Sequence, residues 1–320
     1  MPSRLLGIDL LRGLSAFGIV ACHLMLYPAM STGAWIQHFS DLNVAIFAAI
    51  AGFVMSERVW SRPVADYAKD RVRRLLPAYL LWSAIFVLTS AAFKVVGHES
   101  VGYLLQGSYW IDVLFKGGAS CHLWFLACLF YAQVLLRLAG GGLRQSRCSS
   151  WTDVASVAVA LGFILLSTVG EDWWFKYFSR LTGFLALGVA LRGVFACERC
   201  PGMKWLFALT VAAVGLHVGL QGRLPQYVRD FIVVCPVTLF FASLRIEGEG
   251  CARLAAFLAE TSLTVYLVHP ILTKVAGLAV KRVAVAPYGV QLVLADWVAC
   301  YVGALAFAAV VRMVKGRLRK

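Results

Sequence analysis

The chain of 320 residues is 61% hydrophobic and only 14% charged, with a mean hydropathy of +0.78. Soluble domains carry about 25% charged residues, so this composition excludes a water-soluble globule and points to an integral membrane protein. A formal charge of +14 on a soluble protein would suggest nucleic acid. Here the basic residues fall in short loops and no basic, aromatic-rich soluble module is visible, so no nucleic-acid partner is expected.

The first apolar segment, residues 8–28, is long enough to span a bilayer, yet it holds Asp9, Arg12 and His23. Ionisable groups at membrane depth mark a substrate path or a reaction site. Arg12 and His23 are separated by three turns, about 16 Å along a helix axis, and share one face, with Asp9 one turn below Arg12. The segment is too long and too polar for a secretory signal peptide and is expected to remain in the mature protein.

A second span is predicted at 41–57. After it, Pro63 opens a stretch in which Val64, Ala68, Val72 and Leu75 recur at helical spacing while Lys69, Arg71, Arg73 and Arg74 occupy the rest. The pattern predicts a helix lying along the cytoplasmic interface. It serves either to anchor the chain to anionic lipid or to bind an anionic cofactor, since arginine grips phosphate in bidentate fashion.

Further spans are predicted at 76–96, 120–138, 153–169, 178–195, 203–220, 228–244, 261–280 and 289–311, the weakest being 178–195, which Gly183 and Gly188 interrupt. The expectation is an all-α, polytopic bundle of about ten transmembrane helices. No loop is long enough for a separate soluble domain, so residues 1–320 read as one membrane-embedded domain. With the N-terminus inside, the inner segments collect 20 Lys and Arg residues and the outer ones nine. That bias places both termini in the cytoplasm.

The nine cysteines suggest no disulfide framework, because several (Cys22, Cys128, Cys235, Cys300) lie in apolar segments where cysteine acts as a small hydrophobe. Cys197 and Cys200 form a single C-x-x-C; a zinc site needs two more ligands, and no metal is expected. Chemistry is expected from histidines instead. His122 opens the fourth span, and His269 lies roughly 12 Å into the ninth. A lone intramembrane histidine often does no more than hydrogen-bond a neighbouring helix. Three histidines in one bundle, beside Asp9 and Arg12, favour a reaction site, and an imidazole with an unperturbed pKa near 6.5 suits general-base work.

Five segments resemble, in order, the motifs of the acyltransferase-three family of membrane acyltransferases. They are Asp9-x-x-Arg12-Gly13-x-x-Ala16 followed by His23; Phe47 through Gly52-Phe53; Arg71-x-x-Arg74-Leu75-x-Pro77-x-Tyr79; His122-Leu123-Trp124-Phe125-Leu126; and Ser262-x-x-x-Tyr266-Leu267-x-His269. Ala51 stands where the family often has serine, and the extra hydrolase-like domain of some members is not expected. The resemblance implies an acyl donor, acetyl-coenzyme A, as co-substrate at the cytoplasmic face, and a sugar or glycan hydroxyl as acceptor. It implies catalytic roles for His23, Asp9, Arg12 and His122, donor binding by Arg71, Arg73, Arg74 and Tyr79, and substrate binding by Trp124, Tyr266 and His269. The implied setting is a bacterial inner membrane, with the lipid bilayer itself as a partner. The competing class is a transporter or glycan exporter, in which the same ionisable residues form a translocation path or proton relay. No internal repeat between the chain halves supports it.

Overall fold

The computed structural model describes residues 5–24, 33–59, 63–120, 122–139, 150–169, 171–196, 201–283 and 290–317. The C-x-x-C at Cys197–Cys200 and the basic residues Arg4, Arg62, Arg144, Arg147, Arg199, Arg319 and Lys320 lie outside them, as do residues 25–28 of the first predicted span. Among the described residues the regular structure is helical throughout. The α-helices are α1 (Leu6–Val20), α2 (Gly33–Val59), α3 (Val64–Val96), α4 (Gly107–Ile111), α5 (Trp124–Ala139), α6 (Ser150–Val169), α7 (Trp173–Ala196), α8 (Met203–Gly219), α9 (Gln226–Ser243), α10 (Glu249–Val283) and α11 (Val290–Arg317). All but the short α4 fall on the ten segments read from the sequence. Among the described residues, five of them are long and apolar enough to cross a membrane, and several shorter apolar helices accompany them. The protein is an all-α membrane helical protein.

The boundaries differ from the expected ones in instructive places. The basic stretch 64–75 is not a separate in-plane helix: it is the first part of α3, a single helix of 33 residues. At the α-helical rise that is about 50 Å, against a hydrocarbon core of about 30 Å, so the polar turns project beyond the apolar ones on one axis. Pro77 lies inside this helix and cannot donate to the carbonyl of Arg73, the kind of local break at which long helices bend. Gly183, one of the two glycines that weaken the sixth span, is a packing residue: a Cβ on it would stand 2.6 Å from Ile164 Cγ1. It lets α6 and α7 approach closely, as small residues do where two membrane helices meet.

The chain divides into two compact units, residues 1–50 with 200–320 and residues 51–199. In the first, α1 packs against α9, α10 and α11, and α8 pairs with α9. Its closest approaches are at glycine: a Cβ on Gly7 would overlap the carbonyl oxygen of Phe241, and one on Gly13 would lie 2.5 Å from Leu258 Cβ. In the second, α7 packs against α6 and α5, and α5 against α3. There Gly52 lies against the carbonyl of Leu185. Gly13 and Gly52 belong to the motifs quoted above, and each holds its place because a side chain would push two helices apart.

Candidate active site

In the first unit, the polar residues of α1 and α10 meet over an aromatic wall. Arg12 is half-buried, and its guanidinium carbon lies 5.5 Å from the centre of the Phe47 ring on α2. Phe47 stacks on Tyr266 of α10 at 6.3 Å between ring centres. Tyr266 lies 5.9 Å from His269, and His269 lies 5.0 Å from His23. The sequence put His23 on the same α-helix as Arg12. The structure ends α1 at Val20 and carries His23 in a 3₁₀ turn, Ala21–His23, a common way for an α-helix to finish. Asp9 is half-buried in the first turn of α1, where the positive end of the helix dipole favours a carboxylate.

His269 is fully buried, and its Nδ1 lies 3.2 Å from the carbonyl oxygen of Val265. A carbonyl only accepts, so Nδ1 is the donor in this contact. The helix around it starts earlier than expected, at Glu249 instead of residue 261. Pro270, the next residue, has no N–H to give the carbonyl of Tyr266 and opens the backbone ladder beside these rings. Behind α1, Trp297 of α11 stacks on Phe17 with centres 4.6 Å apart and donates its indole N–H to the Phe17 carbonyl at 2.8 Å. Tyr301, one turn on, donates its hydroxyl to the carbonyl of Gly13 at 3.3 Å. These braces fix the helix that carries Arg12. Sequence reasoning passed over them, although two ring residues with polar tips four positions apart in the last span were the available signal.

The second unit holds the remaining candidates. His122 precedes α5 in a turn, not in the helix itself. It is 2% exposed; its Nδ1 is 2.9 Å from Ser120 Oγ, and its ring meets Phe86 of α3 edge-on at 4.7 Å. Trp124, at the first position of α5, lies over Tyr177 of α7 with centres 4.6 Å apart. Ser120 is a partner that no motif announced.

Farther along α3, Asp70 accepts from Arg71 at 2.6 Å and from Arg74 at 2.9 Å. Arg71 also lies 5.2 Å from the Tyr67 ring centre. Tyr67 is buried and donates to Gln133 of α5. Arg73 and Arg74 are exposed, and Arg71 is half-buried. Each guanidinium has five N–H donors, so sharing Asp70 leaves most of this donor set directed elsewhere. Tyr79 stands eight residues beyond Arg71, about 12 Å along the helix, and donates its hydroxyl to the carbonyl of Val113. Among the described residues, no group of three or more His, Cys, Asp or Glu side chains is arranged to hold a metal ion.

The structure therefore brings Arg12, His23, Tyr266 and His269 together on one wall of the first unit. In the second unit it sets His122 against Ser120 and Phe86, stacks Trp124 on Tyr177, and pairs Arg71 and Arg74 with Asp70. No curated protein and no solved structure matches the chain. A family model described as an acyltransferase domain, that of acyltransferase family 3, matches residues 5–313, which takes in every residue named in this section. A match over nearly the whole chain shows the family: the chain belongs to acyltransferase family 3.

Proposed function

We propose that the protein transfers an acyl group, acetyl in the first instance, from acyl-coenzyme A at the cytoplasmic face to a hydroxyl of a cell-surface or exported glycan. The setting we propose is a bacterial cytoplasmic membrane with both termini inside. One observation carries the reading: His23 and His269 face each other at 5.0 Å on the wall that also holds Arg12.

In this scheme His23 takes the proton of the acceptor hydroxyl as its oxygen bonds to the thioester carbonyl carbon. The carbon–sulfur bond then breaks, and the proton passes from His23 to the departing sulfur, leaving ester and free thiol with no net change in protons. A general base of this kind contributes a factor of about 10² to 10⁴. Arg12 orients the donor and Asp9 fixes Arg12; Tyr266 and His269 line the substrate. His122 and Trp124 hold the acceptor. Arg71, Arg73 and Arg74 take the phosphates of the coenzyme, for which a guanidinium fork is suited. Tyr79, whose hydroxyl donates to Val113, joins them in binding the donor.

The test is transfer of label from radiolabelled acetyl-coenzyme A to de-acylated envelope glycan by the purified protein in detergent. Label should move to the glycan with the wild type and not with His23→Ala. Failure of the wild type to consume donor with any glycan fraction would remove the reading.

A further inference from the structure

Two contacts of α3 fix the depth of the chain that follows it. Between Arg74 and Lys94 the helix carries no charged side chain, a run of about 30 Å that matches the hydrocarbon core. Phe86 lies near the middle of that run and meets the His122 ring at 4.7 Å. Tyr79, nearer Arg74, donates to the Val113 carbonyl. Residues 113–122 are therefore seated at membrane depth, about 25 Å to 15 Å short of the end of α3 at Val96.

The way in and the way out are equally defined. Past the end of α3, Lys94 lies 4.8 Å from the Tyr103 ring centre, and Tyr103 meets Tyr109 edge-on at 4.9 Å. From there α4 continues without a break into a π-helical turn, Asp112–Lys116. Residues 107–116 thus form one helical rod of about 15 Å, half of what a membrane crossing needs. The rod stops at the left-handed Gly117, and Gly118 donates back to the Asp112 carbonyl at 2.9 Å. Then α5 starts beside the middle of α3 and runs toward its arginine end, where Tyr67 donates to Gln133. Rod and α5 together make one crossing in two pieces. A break of this kind is tolerated at membrane depth only where it is buried in protein or lines a water-filled cavity.

The rod shows which. Val113 is buried against α3, and Trp110, Ile111, Leu114 and Phe115 are exposed on another side. Ser108, Asp112 and Lys116 recur every fourth residue on the strip between them. Lys116 pairs with Asp112 at 3.2 Å, yet the two side chains stay 40% and 48% exposed. So open a pair is not buried in protein, and open to hydrocarbon it would be costly, since lipid solvates neither charge. Water meets both conditions. Ser108, at the start of the rod, comes two residues after the exposed Gln106, on the side of the membrane where α3 ends.

We infer that an aqueous inlet opens on the face where α3 ends and descends along Ser108, Asp112 and Lys116 to the depth of His122. In the proposed reaction it admits the acceptor hydroxyl, a use that rests on the acyl-transfer reading; the inlet itself does not.

A trimethylammonium methanethiosulfonate, whose fixed charge keeps it out of lipid, tests this on the full chain. It is applied to intact cells and to everted membrane vesicles carrying Lys116→Cys or Asp112→Cys. Glu99→Cys, 66% exposed at its side chain, marks the water on the face where α3 ends. Leu88→Cys, 70% exposed on α3, marks lipid. The unsubstituted protein supplies the background from native cysteines. Positions 112 and 116 should react from the side on which Glu99→Cys reacts, and Leu88→Cys from neither. Deep positions as unreactive as Leu88→Cys would overturn the inlet. Reaction only from the opposite side would overturn it too, by opening the path at the arginine end. Each deep variant decides by itself if the other fails to fold, as read by its elution in detergent. Acyl transfer is assayed separately, so failure of the inlet and failure of the acyltransferase reading are told apart.

Discussion

At the scale of single residues, the first unit concentrates its polar chemistry where the sequence crossed a membrane with the wrong residues. Arg12, His23 and His269 are set against aromatic rings, 5.5 Å from Phe47 in one case and 5.0 Å from each other in the other. Ring faces carry a partial negative charge that receives a guanidinium, which lowers the cost of holding Arg12 half-buried. His23→Ala is expected to lower transfer about 10² to 10⁴-fold while leaving donor binding intact, as read by steady-state rates beside a titration with acetyl-coenzyme A. A near-normal rate would displace His23 from the proposed role. Arg74→Ala is expected to weaken donor binding about tenfold, the scale of one charge-assisted hydrogen bond, with little change in stability because Arg74 is exposed. Isothermal titration in detergent checks it; unchanged affinity would leave the stretch 69–74 the lipid-anchoring role alone.

At the scale of elements, the helices do more than span. The length of α3 lets one axis carry both a cluster of arginines and an apolar run, and its middle meets the segment before α5 through Tyr79 and Val113. The hinge of that segment is Gly117, whose φ of +80° is left-handed. A side chain there costs about 1 to 2 kcal/mol from backbone conformation alone, and its Cβ would also collide with the Trp124 backbone. Gly117→Ala should therefore shorten the half-life of thermal inactivation in detergent and reduce transfer together. Gly107→Ala, whose Cβ meets nothing within 4 Å, serves as the tolerated control. Equal behaviour of the two variants would show that the turn is not held as described.

At the scale of the whole molecule, the basic-residue asymmetry is the feature with the widest consequence. Twenty inner Lys and Arg residues against nine outer ones predict that the loops flanking α9 lie on opposite sides of the membrane. Cys251, exposed at the start of α10, falls on the inner side in this scheme, and residue 221, between α8 and α9, on the outer. A membrane-impermeant maleimide should modify Gln221→Cys in intact cells and reach Cys251 only after lysis. Modification of both from the same side would refute the topology.

The sequence by itself determined the class of protein, its helices and its family. Membrane helices satisfy their own backbone hydrogen bonds, so hydropathy reports them locally, and each of the ten predicted segments falls on a helix. The motif residues were legible for the same reason: a histidine or arginine in an apolar run stands out without knowledge of its neighbours. What the sequence could not decide was anything set by contact between distant segments. The tertiary structure alone paired His23 with His269, more than two hundred residues apart in the chain, because α1 and α10 pack on each other. It alone showed Gly183 to be a packing residue in an unbroken helix, since a glycine's role depends on what presses against it. It also turned an expected surface helix into the first turns of α3, and gave Tyr79 to Val113. Local pattern fixes which residues are out of place in a membrane; only packing decides what each of them faces.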